Sequence, residues 1–380
     1  MLHSSLFAEN VKLAIDDRLL VLNSAADAFV PEAAQRIITG ELVLAEDNIA
    51  ALHTAQIALQ RDRLKITHSR HIPFHEYTLL EAPATMDVAL MNLLYQPGSA
   101  WMQYGLWLAA YALKSGGRLY VQGAKERGIL SLAKHMQTRF GNVETLEISK
   151  GERVICSTVG TQFIMPNSSD VMQGSIQGAV VDAMQGSIQG AVVDAMQGGI
   201  HGRMQDAVVD AINRVPTFAE GKLDEGTRLL IEALEVRVTD VALDLGCGAG
   251  FIGAHIARHA TRGQVTMVDA SLAAVAAARR MIEQNGLSNA QVLPGDGAQE
   301  LLEQRFDLVV TNAPFHIGGI QTTAIAERFI REAAQVLRPR GRFYLVANRF
   351  LKYEPTMREC FKTVEEVAGN TRFKVLRGLK

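Results

Sequence analysis

Val241-Ala242-Leu243-Asp244-Leu245-Gly246-Cys247-Gly248-Ala249-Gly250 runs from an apolar strand into a glycine-rich turn, and the stretch from Ala249 to His259 continues with helical spacing. A buried strand that enters a helix through glycines is the opening unit of a doubly wound α/β sheet. Outward from it, Gln264 to Asp269, Gln291 to Leu293, Phe306 to Thr311 and Gly341 to Ala347 read as further strands. Leu272 to Asn285 and Thr323 to Leu337 read as helices between them, the last stopped by Pro339. The alternation predicts a mainly parallel sheet with helices on both faces.

The amino-terminal half repeats this order in diverged form. Arg18 to Asn23 sits where Val241 to Gly246 does, and Glu41 to Asp47 with its helical run to Gln60 mirrors Gln264 to Asp269. Met86 to Asn92 parallels the strand ending at Asn312, and Ala112 to Tyr120 parallels Val336 to Tyr344. In this copy Asn23-Ser24-Ala25-Ala26-Asp27 replaces the glycine turn, and without glycines side chains crowd a nucleoside pocket. Between the halves, Met172 to Ala183 recurs at once from Met184 to Ala195 and again imperfectly through Ala211. Met172, Ile176, Val180, Met184 and Ile188 fall four apart, yet two glycines per unit weaken any isolated helix, and a flexible linker is the simplest reading. The expected organisation is a degenerate domain over 1–165, a low-complexity linker over 166–214 and a catalytic domain over 215–380.

At 380 residues with 48% hydrophobic content the chain has material for two ordinary cores. No apolar run approaches membrane-spanning length, and the first twenty residues mix Glu9, Lys12, Asp16, Asp17 and Arg18 among the apolar positions, so a cytoplasmic protein is expected. Cys156, Cys247 and Cys360 are odd in number and unpaired with histidines at ligand spacing, which argues against a disulfide framework and a metal site. The net charge of -2 gives no global polyanion signature. From Arg338 to Lys380, however, eleven Lys/Arg stand against four Asp/Glu, so any nucleic-acid footprint is local.

The turn glycines Gly246, Gly248 and Gly250 admit a nucleoside cofactor beside the free N–H groups of a helix start. Gly248, Gly250 and Gly253 also satisfy the dinucleotide fingerprint Gly-x-Gly-x-x-Gly, and Asp269 at the second strand end suits a ribose in either reading. What separates the two is Asp244 ahead of the glycines, the acidic third-strand end Gly295-Asp296-Gly297, and Asn312-Ala313-Pro314-Phe315 closing the fourth strand. A dehydrogenase has no need for the last. A carboxamide, an exposed carbonyl and an aromatic face at one strand end can hold a planar base that bears an amine. An exocyclic amine is a poor nucleophile because its lone pair is delocalised into the ring. The Asn312 side-chain oxygen and the Ala313 carbonyl can accept both amine hydrogens and aim the lone pair, while Phe315 stacks on the base.

These successive motifs resemble those of class I S-adenosylmethionine-dependent methyltransferases. The resemblance implies S-adenosylmethionine as cofactor, with the glycine loop beside the methionine moiety, Asp269 on the ribose hydroxyls, and Asp296 with Gly297 near the adenine. The tetrad is similar to the family's Asn-Pro-Pro-Phe/Tyr; Ala313 in place of proline keeps the carbonyl and gives up rigidity. Phe218 to Leu230, Val346 to Tyr353 and Arg372 to Arg377 further resemble the ribosomal RNA small-subunit guanine-N2 methyltransferases, which share the tandem architecture of a degenerate domain before an active one. That family implies methyl transfer to N2 of a guanine in 16S rRNA, in the small ribosomal subunit or its RNA. It also implies that the segment from Phe218 to Thr227 folds over the cofactor, with Thr227 a cofactor contact; Thr227 and Asp224 alternatively cap the following helix.

Arg349, Lys352, Arg372, Lys374 and Arg377 are candidates for phosphate contact, and His316 for a base or phosphate contact or a purely local role. Three other readings stay open: a large-subunit guanine-N2 enzyme, a protein N5-glutamine methyltransferase, and a noncatalytic RNA-binding assembly factor.

Overall fold

The computed structural model describes residues 6–61, 69–161, 163, 224–313, 316–317, 320–321 and 323–380. The chain divides into two compact units, Met1–Asp182 and Ala183–Lys380. The repeats between them, the segment from Phe218 to Leu223, Pro314 and Phe315 lie outside the described residues.

The strands of the first unit are β1 (Arg18–Leu22), β2 (Glu41–Glu46), β3 (Ser69–Pro73), β4 (Met86–Asn92), β5 (Leu113–Ala124), β6 (Glu144–Ser149) and β7 (Glu152–Thr158). Those of the second are β8 (Val241–Leu245), β9 (Gln264–Asp269), β10 (Ala290–Pro294), β11 (Phe306–Thr311), the two-residue pair β12 (His316–Ile317) and β13 (Ile320–Gln321), then β14 (Leu337–Asn348), β15 (Thr363–Gly369) and β16 (Phe373–Leu379). The large sheets run β3-β2-β1-β4-β5-β7-β6 and β10-β9-β8-β11-β14-β16-β15, the same order. In each, five strands are parallel and the last two pair antiparallel. The reversal of strand order lies between β8 and β11, and it puts the carboxyl ends of both strands at a crevice.

In the second unit the period of two along each strand explains the near-continuous apolar runs. Leu243, Leu245, Val309, Phe343 and Leu345 pack on one face against Phe329, Ile330 and Ala333 of the helix Ala324–Val336. Ala242, Leu308, Val310, Tyr344 and Val346 pack on the other, against Ile252 and Ile256 of the helix Phe251–His259. Both faces are buried, as a parallel sheet requires.

The duplication extends to polar detail at the amino ends of the strands. The Arg18 and Val241 amides donate to Asp87 and Asp307, each at 3.0 Å. Arg118 meets Asp17 at 3.3 Å, and Arg342 meets both oxygens of Asp240 at 2.6 Å. A Cβ at Gly40 would stand 2.0 Å from the Asp17 carbonyl oxygen, and one at Gly263 1.9 Å from that of Asp240. The sequence alignment of the halves is therefore borne out for the four strand pairs it covered, β1/β8, β2/β9, β4/β11 and β5/β14. The antiparallel pairs β6–β7 and β15–β16 and the weakly buried β3 were not foreseen. Among the described residues no helix is long and apolar enough to cross a membrane.

Candidate active site

Four strand ends converge on the crevice. After β8 the chain turns through Gly246, Gly248 and Gly250 with φ of +69°, +54° and +87°, the left-handed region that only glycine enters without strain. A Cβ at Gly248 would meet nothing of the described residues within 4 Å, whereas one at Gly253 would stand 2.5 Å from Met267 Cε. Gly248 thus opens space at the turn, and Gly253 seats the helix Phe251–His259 on β9.

Asp269 ends β9 and holds the turn from below. Its Oδ2 accepts from Gly248 N at 2.8 Å and its Oδ1 from Ser271 N at 2.9 Å. Asp244 is fully buried; Oδ2 accepts from Gly253 N at 2.8 Å, while Oδ1 has no hydrogen-bond partner among the described residues. Burial pushes its pKa up to about 7, the Asp269 charge adds to the rise, and the Gly253 N–H opposes it. A buried carboxylate oxygen without a donor, beneath a turn whose glycine leaves room for a ligand, fits a cofactor carrying positive charge. Neighbouring Cys247 is a buried free thiol with its pKa well raised, hence inert.

After β10, Gly297 has φ +76°, and a Cβ there would meet Glu332 Oε2 at 2.2 Å. Glu332 accepts from Ala298 N at 2.8 Å, and Arg328 donates to the Asp296 carbonyl at 2.9 Å and to its carboxylate. Asp296 is therefore braced by a guanidinium that sequence reasoning overlooked. The available signal was the Arg328–Glu332 spacing of four on one helix face, which the structure closes at 3.0 Å.

At the end of β11, Thr311 Oγ1 donates to Leu245 O at 2.8 Å and ties the fourth strand to the first. Asn312 follows, half-buried, and its Nδ2 donates to Thr227 Oγ1 at 2.9 Å. Ala313 is buried. Thr227, expected as a cofactor contact, bonds protein on both sides, since its hydroxyl also meets the Asp224 carboxylate. Asp224 caps the helix Glu225–Ala233 through Thr227 N at 3.0 Å, so the capping alternative holds as well. His316 belongs to β12, paired with Gln321 of β13, and its side chain lies outside the described residues.

The basic candidates divide. Asn348, Arg349, Phe350, Thr371 and Arg372 line an open cleft of about 530 Å³ past the carboxyl end of β14. Phe350 and Lys352 are exposed there. Arg349 meets Glu366 and Arg372 meets Glu225, each at 2.8 Å, in exposed pairs that a phosphate can compete for. Lys374 corrects the expectation: it is buried and paired with Glu354, because its place in β16 turns it inward, and it is no phosphate contact in this geometry. Arg377 is held by Glu235 and Glu365 at 2.8 and 2.7 Å.

A doubly wound sheet in this strand order, with a glycine turn after the first strand, acids after the second and third, and Asn-Ala-Pro-Phe after the fourth, defines a class I methyltransferase. The family model "Methyltransferase small domain" matches residues 209–377. The chain is 30% identical over 336 residues to the ribosomal RNA small subunit methyltransferase C of Shewanella loihica, covering 85% of this chain and 90% of that one. The protein of the same name from Alcanivorax borkumensis is 39% identical over 173 residues, 45% of this chain and 52% of that one. A solved structure of the T. thermophilus 16S rRNA N2 G1207 methyltransferase (RsmC), in complex with AdoMet and guanosine, superposes with a TM-score of 0.68 at 27% identity, covering 99% of this chain and 91% of that one. The chain belongs to the ribosomal RNA small subunit methyltransferase C family.

Proposed function

We propose that this protein transfers a methyl group from S-adenosylmethionine to the exocyclic N2 of a guanine in 16S rRNA. The observation that carries the reading is Asn312, half-buried at the end of β11, whose register with β8 sets it beside the glycine turn and whose amide nitrogen donates to Thr227 at 2.9 Å. S-adenosylmethionine, when bound, supplies an electrophilic methyl. Gly246, Gly248 and Gly250 would admit it, Asp269 would face its ribose, Asp296 and Gly297 its adenine, and Asp244 lies beneath.

The chain's own residues do the rest by positioning. The Asn312 oxygen and the Ala313 carbonyl accept the two amine hydrogens, favour a pyramidal nitrogen and point its lone pair into the crevice. Phe315 supplies the stacking face and Pro314 limits the backbone after the acceptor carbonyl. No strong base is required, because the ammonium formed on transfer is acidic and loses its proton readily. A guanine in a folded RNA must be turned out of its stack to reach this point. Arg349 and Arg372, in a cleft they share with Phe350, and the exposed Lys352 would hold the neighbouring backbone, and His316 is a further candidate. In this reading 1–165 is a degenerate domain, 166–214 a linker and 215–380 the catalytic domain, working in the bacterial cytoplasm on the small subunit or its RNA.

The test is methyl incorporation from labelled S-adenosylmethionine into undermodified small subunits, large subunits and their naked RNAs, followed by nucleoside mass spectrometry. N2-methylguanosine confined to small-subunit material, and lost with Asn312→Ala, is the expected outcome. Label in large-subunit RNA, or full activity in Asn312→Ala, would overturn the reading.

A further inference from the structure

We propose that Thr227 is a positioning residue, which together with Asp224 decides which end of the Asn312 carboxamide faces the amine. The inference rests on the assignment of Asn312 as amine acceptor. A threonine hydroxyl has one proton to give. Thr227 Oγ1 lies against Asp224 Oδ2, and a carboxylate only accepts, so the hydroxyl proton is committed there. What Thr227 offers Asn312 is a lone pair, and only the amide N–H end can meet it. Asn312 Nδ2 does so at 2.9 Å across 85 residues of sequence. The opposite orientation would set two lone pairs against each other, so the oxygen is directed away from Thr227. The assignment follows from the donor inventory and does not depend on telling amide nitrogen from oxygen.

The support behind this relay is stiff. Asp224 is held as a helix cap by Thr227 N at 3.0 Å. The next residue, Glu225, takes Asn370 Nδ2 at 3.0 Å from the turn between β15 and β16. Gly226 completes the fit, because a Cβ there would stand 3.2 Å from Asp224 Oδ1 and 3.3 Å from the Phe373 ring. Thr227 itself is buried. An amide free to flip would present its NH₂ group to the amine for part of the time, a donor facing donors. The relay removes that state.

Thr227→Val keeps the shape and the backbone N–H that Asp224 caps, and deletes the hydroxyl. We expect kcat on undermodified small subunits to fall by about 10- to 100-fold, the cost of a misplaced reacting group. KM for the subunit and affinity for S-adenosylmethionine should stay within about threefold, and Thr227→Ser should restore most of the rate. In single turnover, Thr227→Val added to Asn312→Ala should lower the residual rate no further, since both act on one group. Lost cofactor affinity with unchanged kcat would make Thr227 a cofactor contact and overturn the proposal. Full activity of Thr227→Val beside an inactive Asn312→Ala would overturn the relay alone, whereas an active Asn312→Ala would remove the reading beneath it.

Discussion

Asn92 donates its side-chain amide to Asp27 Oδ2 at 2.7 Å, both side chains buried, at the strand-end position that Asn312 holds in the second unit. Around this bond the first unit has filled its own crevice. Gln96 Nε2 reaches the carbonyls of Leu22, Asn23 and Asn92 and the Ser24 hydroxyl at 3.0 to 3.3 Å. Glu46 stands where Asp269 does, and its longer side chain accepts from Ala25 N at 2.9 Å and from Asp47 N and Asn48 N at 3.0 and 2.9 Å. The groups that would meet a ligand meet one another. Asn92→Ala should therefore lower stability by about 2 kcal/mol, the cost of leaving a buried carboxylate short of a donor. Cofactor affinity and turnover should be unchanged. Chemical denaturation and calorimetric titration of the same preparation check both.

Two turn glycines should separate binding from folding. At Gly248 the left-handed backbone costs Gly248→Ala roughly 1–2 kcal/mol, with no steric clash against protein, while the new methyl enters the nucleoside space. Affinity for S-adenosylmethionine should drop by more than about tenfold in a protein that still folds. Gly253→Ala forces the helix Phe251–His259 off Met267 and should show the reverse balance, a loss of about 1–3 kcal/mol with a smaller change in affinity.

Two buried carboxyls give stability a specific pH dependence. Burial raises Asp244 and Glu46 each to about 7. Unfolded, such groups lose their protons at roughly 4, so between these values the folded chain binds more protons than the unfolded one. Their contribution is complete below pH of roughly 4 and is lost as pH rises through about 7. Denaturant midpoints of the wild type should fall relative to Asp244→Asn, and separately to Glu46→Gln, across that window. A cationic cofactor above Asp244 favours its ionised form, so affinity for S-adenosylmethionine should rise from pH 6 to 8 in the wild type and stay flat in Asp244→Asn.

The paired arginine bridges differ in burial and should differ in worth. Asp240 and Arg342 side chains are 2% and 3% exposed, against 10% and 29% for Asp17 and Arg118. Asp240→Ala strands a guanidinium in the core and should cost about 3–5 kcal/mol. Asp17→Ala, with solvent to screen the remaining charge, should cost about 1 kcal/mol. Paired urea unfolding curves compare them.

In the second unit β8, β9 and β11 were legible because each is an apolar run closed by a glycine, an acid or an asparagine. β8, β9 and β11 have the expected bounds, and the candidate residues Asp244, Asp269, Asn312 and the turn glycines fall at the carboxyl ends of these strands. β15 and β6 were hidden because, as sheet edges, they expose residues without clean alternation, and β3 buries only Ile72. Lys374 was misread for a related reason: a charge count over the last residues takes no account of which way a strand residue points. Arg328 on Asp296 and Thr227 on Asn312 join residues 32 and 85 apart, and no local pattern in a single sequence encodes such pairs.

The Asp–Arg bridges and the glycines that crowd the Asp17 and Asp240 carbonyls sit at the amino ends of the strands, whereas the contacts of Asp27, Glu46, Asn92 and Gln96 that fill the first unit's crevice sit at the carboxyl ends. β1, β2, β8, β9 and β11 thus each have a foundation end and a working end, separated by four or five buried residues. A sheet built this way can have its chemistry dismantled or rewritten from above while its footing stays in place. The first unit is in that sense a built-over plot on a finished foundation, and a pocket could be cut into it by placing glycine at Asn23, Ala25 and Asp27 and a shorter side chain at Gln96.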